Sequence, residues 1–188
     1  RLLAETQIPK VFLDTSSLVS PDELNGDLLL MESRNSVRNI TAHLLEKGRT
    51  LPGFMGDIGY AQSNRERYEG FCQALMDAGK TPNPSLCLTT PLGIDSYREE
   101  IDSFLSSLSR MPDAFVCASD YVACILMQLL EKRGLRVPED VAVSGFDNNI
   151  EDLLAENLTT VQVFNEELGS RLALQILYRI KYPHTPHE

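Results

Sequence analysis

Two rhythms of apolar residues alternate along this chain. Short continuous apolar runs stand at Val11-Phe12-Leu13, Phe54-Met55, Leu86-Cys87-Leu88, Ala114-Phe115-Val116-Cys117-Ala118 and Val141-Ala142-Val143. Between them lie longer stretches with apolar positions three or four apart, such as Phe71, Ala74 and Leu75, or Ile101, Phe104, Leu105 and Leu108. A short run bounded by turn residues fits a strand buried on both faces, whereas a period of ~3.6 fits a helix that buries one side. One punctuation mark recurs. Leu44-Leu45-Glu46-Lys47-Gly48, Leu75-Met76-Asp77-Ala78-Gly79 and Leu129-Leu130-Glu131-Lys132-Arg133-Gly134 each read as a last helical turn stopped by glycine. Glycine is favoured just past a helix because that position often takes positive φ. Each stop is followed within a few residues by an apolar run. Helix, glycine, loop, strand is the order of βαβ units and predicts an α/β fold with mainly parallel sheets flanked by helices.

The pattern predicts strands over 10–13, 27–31, 51–55, 86–88, 114–118, 141–145 and 159–164. It predicts helices over 36–47, 63–78, 94–109, 121–133, 149–155 and 166–180. The helix over 121–133 is nearly all apolar and is expected to be buried on much of its surface. Residues 181–188 are polar, carry two prolines and read as a loose tail. No Pro/Ser-rich linker divides the chain. Two lobes would therefore be joined by crossings at strand ends, with 56–62 and 161–165 as candidates.

Composition narrows the function. With 188 residues, 43% hydrophobic and 23% charged, the chain can bury one large core or two small ones. The formal net charge is −10 and the Lys and Arg residues are dispersed, which argues against this chain gripping a nucleic-acid backbone itself. It begins at Arg1, without Met and as if within a helix, so a further upstream domain is expected. No apolar run reaches the ~18 residues that span a bilayer, so no membrane association is expected. Cys72, Cys87, Cys117 and Cys124 form no CxxC pair and read as buried reduced thiols, which suits the cytoplasm. His43, His184 and His187 lack metal-ligand spacing. There is no Gly-rich phosphate loop and no nucleophile elbow, so neither an enzyme nor a cofactor is expected.

The segment Val137-Pro138-Glu139-Asp140-Val141-Ala142-Val143-Ser144-Gly145-Phe146-Asp147-Asn148 carries the most information. It reads as a buried strand whose C-terminal edge presents a carboxylate and an amide, and ligands of open α/β sheets sit just outside such edges. This segment resembles the "G-x-x-v-P-e-D-v-a-V-x-G-F-D-n" stretch of the lactose-repressor/purine-repressor family of bacterial transcription regulators. The run Pro112–Ala123 resembles the family's "P-D-A-v-f-c-x-N-D-x-x-A". Leu158-Thr159-Thr160-Val161 with Glu167-Leu168-Gly169 resembles "L-T-T-V … e-l-G", and Arg67-Tyr68-Glu69-Gly70-Phe71 with Ala74, Leu75 and Gly79 resembles "R-x-x-G-F-x-x-A-L-x-x-x-G". Gln7-Ile8-Pro9 to Asp14 and His43–Gly48 resemble "i-P-x-V-x-x-D" and "h-L-i-e-x-G". The matches run in order over nearly the whole chain.

The resemblance implies a periplasmic-binding-protein-like effector domain of two lobes with a small-molecule effector in the cleft between them. It implies an incomplete N-terminal lobe over 1–57 plus 164–180, a C-terminal lobe over 58–163, and the tail over 181–188. It also implies a homodimer, and contact with operator DNA only through an N-terminal helix-turn-helix domain absent from this chain. A periplasmic sugar-binding protein of a transporter is the alternative on the same fold.

Candidate ligand residues follow. Arg67 stands where the family's arginine bonds the effector; the other readings are a solvated helix arginine, or Arg65 in its place. A guanidinium offers five donors in a rigid fork. Asp147 stands where the family's carboxylate accepts from the effector, or else it caps the helix that follows. Ser119 replaces the family's usual asparagine, leaving ligand contact open, and Asp120 reads as structural. Ser63 reads as the N-cap of its helix, with Glu66 completing a capping box, or as a hydroxyl on the ligand. Thr90, Pro91 and Leu92 lie where the family often places a stacking aromatic, and Tyr60 or Phe164 could substitute. The absence of an aromatic there disfavours a flat purine and points to a sugar or similar polar metabolite. Val163 replaces a frequent glutamine, Glu32-Ser33 a usual Asp-Asn pair, and Ser36 a usual glycine.

Overall fold

The structure is a computed structural model that describes residues 6–16, 18–93, 95–149 and 158–187. In chain order the regular elements are β1 (Val11–Leu13), β2 (Asp27–Leu29), α1 (Arg34–Glu46), β3 (Pro52–Met55), α2 (Gln62–Asp77), β4 (Cys87–Leu88), α3 (Tyr97–Ser107), β5 (Ala114–Cys117), α4 (Asp120–Lys132), β6 (Ala142–Ser144) and α5 (Asn165–Lys181). The strands form two sheets. One is four-stranded with the order β4-β3-β5-β6, the other two-stranded with β1 beside β2. Every pairing is parallel.

Alternation of side chains across the four-stranded sheet builds its two cores. Phe54, Ala114, Val116 and Ala142 face α1 and α2 and meet Val37, Leu44, Phe71 and Leu75. Met55, Phe115, Cys117 and Val143 face the other way and meet Ile101, Leu105, Leu126 and Leu130 of α3 and α4. The register agrees, since Phe54 pairs with Val116 and Met55 with Cys117. As its composition predicts, α4 is buried on most sides, from Val122 to Leu130. All three predicted glycine stops take positive φ: +87° at Gly48, +71° at Gly79 and +74° at Gly134. In each the next amide reaches back across the last turn: Arg49 N to Leu44 O at 3.1 Å, Lys80 N to Leu75 O at 2.8 Å, Leu135 N to Leu130 O at 3.0 Å.

Three expectations need correction. The predicted strand over 159–164 is not a regular strand; it runs parallel to the end of β6 and its extension through two isolated bridges, Ser144 with Thr159 and Asp147 with Gln162, and three backbone hydrogen bonds. Positive φ at Asp147 (+107°) and Asn148 (+53°) turns the chain out of the extended path a ladder needs. The expected lobe boundary at 57 also fails to follow the hydrogen bonding. α1 and β3 belong to the four-stranded body, so the chain leaves the small sheet after β2 and not after β3. The third correction concerns the tail. Residues 182–186 are held by Arg179, whose Nη1 donates to Thr185 Oγ1 at 2.9 Å and whose Nη2 donates to Pro186 O at 3.0 Å. Residues 150–155 of the helix predicted over 149–155 lie outside the described residues.

Candidate functional site

The site lies at the C-terminal edge of the four-stranded sheet. There β6 ends at Ser144, and the chain through Gly145 carries Phe146 into the core and sets Asp147 beside Arg67. Asp147 is pinned by its backbone, donating to Val161 O at 3.0 Å and accepting from Val163 N at 3.2 Å. Its φ of +107° is strained for a non-glycine residue, and such strain is concentrated at functional sites.

α2 delivers the cation. Arg67 lies one turn into it and is only 4% exposed. Its guanidinium lies over the Phe146 ring, 3.6 Å from the centroid. Nη1 donates to the Ala118 carbonyl at the end of β5. Nη2 stands 3.7 Å from Asp147 Oδ1, an ion-pair distance and too long for a hydrogen bond. Nε finds no acceptor among the described residues. Burial pulls the Arg67 pKa below its ordinary value, while Asp147, Asp14, Asp120 and Glu66 pull it back up. Burial likewise lifts the Asp147 carboxyl above the usual range; Arg67 opposes this and Asp120 adds to it. Two unlike charges are therefore held close but not bonded, the arginine buried and the carboxylate partly exposed, with donor and acceptor capacity left over.

The remaining predicted residues sort by position. Ser119 sits beside the Ala118 carbonyl, but its hydroxyl accepts from Val122 N at 3.4 Å and caps α4. Asp120 is buried and accepts from Thr160 Oγ1 at 2.6 Å and Asn149 N at 3.3 Å, tying α4 to the two segments that follow β6. Ser63 is buried on α2, but the N-cap expectation fails. The helix begins a residue earlier, with Ala61 as the cap. The cap role passes to Asp14, whose Oδ1 accepts from Ser63 N at 3.4 Å, while Thr15 O accepts from Gln62 N at 2.7 Å. Those bonds cross from the small sheet to the large one. Tyr60, in the loop after β3, is 76% exposed. Phe164 precedes α5 and lines a cleft of about 310 Å³ where the chain crosses between the sheets, together with Met31, Glu32, Phe146, Val163 and Leu168. Phe146 is the shared wall, facing this cleft and the Arg67 guanidinium.

Asp14, Phe146 and Glu32 were not among the predicted site residues. Asp14 directly follows β1, so the strand-end rule that marked Asp147 could have found it. Glu32 closes the start of α1: its carboxylate accepts from Ser36 N at 3.0 Å and Ser36 Oγ at 2.6 Å. That contact accounts for the paired departures at 32 and 36 from the family pattern. Burial pushes the Glu32 pKa up, but the hydrogen bonds from Ser36 and Asn35 outweigh it and hold it low. Phe146 carried no polar signal and read only as core. Among the described residues no group of His, Cys, Asp and Glu could hold a metal ion, and no helix is long and apolar enough to cross a membrane.

Comparison with known proteins fits this geometry. Residues 41–188 match the family of periplasmic binding protein-like domains. The HTH-type transcriptional repressor PurR of Aliivibrio salmonicida is 29% identical over 186 residues, 98% of this chain and 54% of its own length. The HTH-type transcriptional regulator DegA of Bacillus subtilis is 30% identical over 170 residues, 89% of this chain and 48% of its own. The chain thus spans about half the length of the curated relatives it matches. Among solved structures, a LacI-family transcriptional regulator from Sanguibacter keddieii aligns with a TM-score of 0.79 at 27% identity, covering 96% of this chain and 66% of that one. The transcriptional regulator CelR in complex with cellobiose aligns with a TM-score of 0.80 at 25% identity, covering 94% and 54%. The chain belongs to the family of periplasmic binding protein-like domains.

Proposed function

We propose that this chain senses a small, neutral, hydroxyl-rich metabolite, a sugar or close analogue, on behalf of a DNA-binding transcription regulator. The observation that carries the reading is the 3.7 Å gap between Arg67 Nη2 and Asp147 Oδ1. A ligand hydroxyl set beside the pair, within reach of both, accepts from the guanidinium and donates to the carboxylate at once. Asp14, Asp120 and Glu66 surround the same arginine, so the field disfavours phosphate esters and other anions. The two sheets with their helices are the two lobes. Ligand binding would stabilise one lobe arrangement over the other, and only that difference in affinity can be transmitted to DNA.

The regulator reading has the support of relatives that are HTH-type repressors and regulators, whereas a transporter's binding protein has none from them. Operator contact through a separate helix-turn-helix segment, a homodimer, a cytoplasmic location and the absence of enzymatic turnover belong to the same reading.

The test is a thermal-shift screen of sugars, polyols, nucleosides and amino acids, followed by calorimetric titration of the hit. Arg67→Ala and Asp147→Ala should each weaken binding by about tenfold or more, since each leaves a buried polar partner unpaired. Unchanged affinity in both variants would sink the site.

A further inference from the structure

We infer that the cleft of about 310 Å³ beside the chain crossings is a second ligand site, separate from the Arg67–Asp147 pair, and that it takes an apolar α-amino acid as its zwitterion.

Its walls are apolar: Met31, Phe146, Val161, Val163, Phe164 and Leu168. Met31 lies where the chain leaves the small sheet after β2. Val161, Val163 and Phe164 lie where it returns, and Leu168 stands in α5. Phe146, Val161 and Val163 also pack on the core that the large sheet shares with α1 and α2. Among the described residues that line the cleft, none is Arg67, Asp147, Asp14 or Ser119. Phe146 is common to both sites, because the Arg67 guanidinium lies over its ring. The volume stands at the small end of the roughly 300–1,000 Å³ usual for ligand pockets, which suits one small molecule. Because the walls come from both sheets and their helices, an occupant favours the lobe arrangement that keeps them together.

Such walls turn away a sugar, whose hydroxyls would lose water without gaining partners. Charge then selects among apolar ligands. Glu167 and Arg171 stand one turn apart on α5, both exposed and both at the cleft. Neither side chain is committed to a partner among the described residues. Glu32, the third charge there, is already taken up by Ser36 N and Ser36 Oγ at the start of α1. A simple carboxylate is repelled by Glu167 and a simple amine by Arg171. A zwitterion meets both: Arg171 donates to its carboxylate, Glu167 accepts from its ammonium, and its side chain fills the apolar end.

The purified chain is titrated by calorimetry with L-leucine, L-phenylalanine, glycine, isocaproate and isopentylamine. Hydrogen exchange is followed with and without L-leucine. L-leucine or L-phenylalanine should bind, and the three fragments should bind about tenfold more weakly or worse, since each lacks the side chain, the ammonium or the carboxylate. Glu167→Gln and Arg171→Gln change exposed side chains, and thermal denaturation confirms that each variant folds. Each should weaken the amino acid about tenfold. L-leucine should slow exchange over both 31–36 and 161–168, the two sides of the cleft. The site is overturned if neither amino acid binds, if isocaproate or isopentylamine binds as tightly, or if both variants keep full affinity. It is also overturned if Asp147→Asn abolishes amino-acid binding while Arg171→Gln spares it, which would seat the ligand on the inner pair. Sugar binding at Arg67 and Asp147 is read from separate titrations, so the two sites stand or fall independently.

Discussion

Arg67 and Asp147 face each other across a gap that neither closes, and the protonation of Asp147 decides what the gap can hold. Its carboxyl titrates above the ordinary 3.8 because burial disfavours the charged form. The folded state therefore holds that proton more tightly than the unfolded state does. This group adds stability as pH falls through the window between 3.8 and the raised value, and that contribution is lost as pH rises through it. Ligand binding has the opposite sign, because a hydroxyl needs the ionised acceptor. Affinity for the hydroxylated ligand should fall on acidification from neutrality, by up to about tenfold per pH unit below the raised value. In Asp147→Asn it should be weaker and flat with pH. Titration calorimetry at a series of pH values checks this, and a flat wild-type profile would contradict it. At this scale Asp147 and Arg67 were legible because each stands at a fixed point of a motif. Ser63 was misread because its capping partner, Asp14, comes from the other sheet, a contact that no local pattern encodes. Phe146 was opaque for a simpler reason: an apolar side chain under a guanidinium reads as core.

Among the elements, α1 and α2 pack closest, and Gly70 sets how close. A Cβ added there would lie 2.1 Å from the Arg34 carbonyl oxygen and 3.0 Å from its carbon, both backbone atoms that cannot swing aside. Arg38–Asp77 at 2.7 Å and the Arg34–Glu69 pair flank the same crossing. Alanine normally favours a helix over glycine by about 1 kcal/mol. Here the forced separation should dominate, so Gly70→Ala should destabilise by about 1–3 kcal/mol, as overpacked cores do. Urea denaturation measures it, and a gain in stability would show that the crossing can spread. Most elements were legible because their periods were clean and their ends carried glycine. Two were not. The strand expected over 159–164 has the right composition and keeps one register with 144–147, yet positive φ at Asp147 and Asn148 ends the extended run it pairs with after two bridges. The helix expected from 94 starts at Tyr97, after a turn in which Ser96 N bonds Gly93 O at 3.0 Å.

Across the whole molecule, the hardest feature to read from sequence is what holds the small sheet to α5. Asp27 and Arg179 are each 2% exposed and are separated by 152 residues, a span over which local pattern is silent. Arg179 Nε donates to Asp27 Oδ2 at 3.0 Å, Nη2 donates to Oδ1, and Gln175 Nε2 adds a bond to Oδ2 at 2.8 Å. The guanidinium's remaining donors reach Thr185 and Pro186, so one buried cation joins β2, α5 and the C-terminal segment. That same segment read as a loose tail from its prolines and polarity alone. Breaking a buried pair from one side leaves an uncompensated charge, typically costing about 3–5 kcal/mol. Arg179→Met should therefore destabilise by about that much and speed hydrogen exchange through 182–187, whereas Asp27→Leu with Arg179→Met should recover much of the loss because no charge is left stranded. Denaturation of the two single variants and the double variant gives the coupling directly. Additive losses would mean that packing, and not the ion pair, binds α5 to the small sheet.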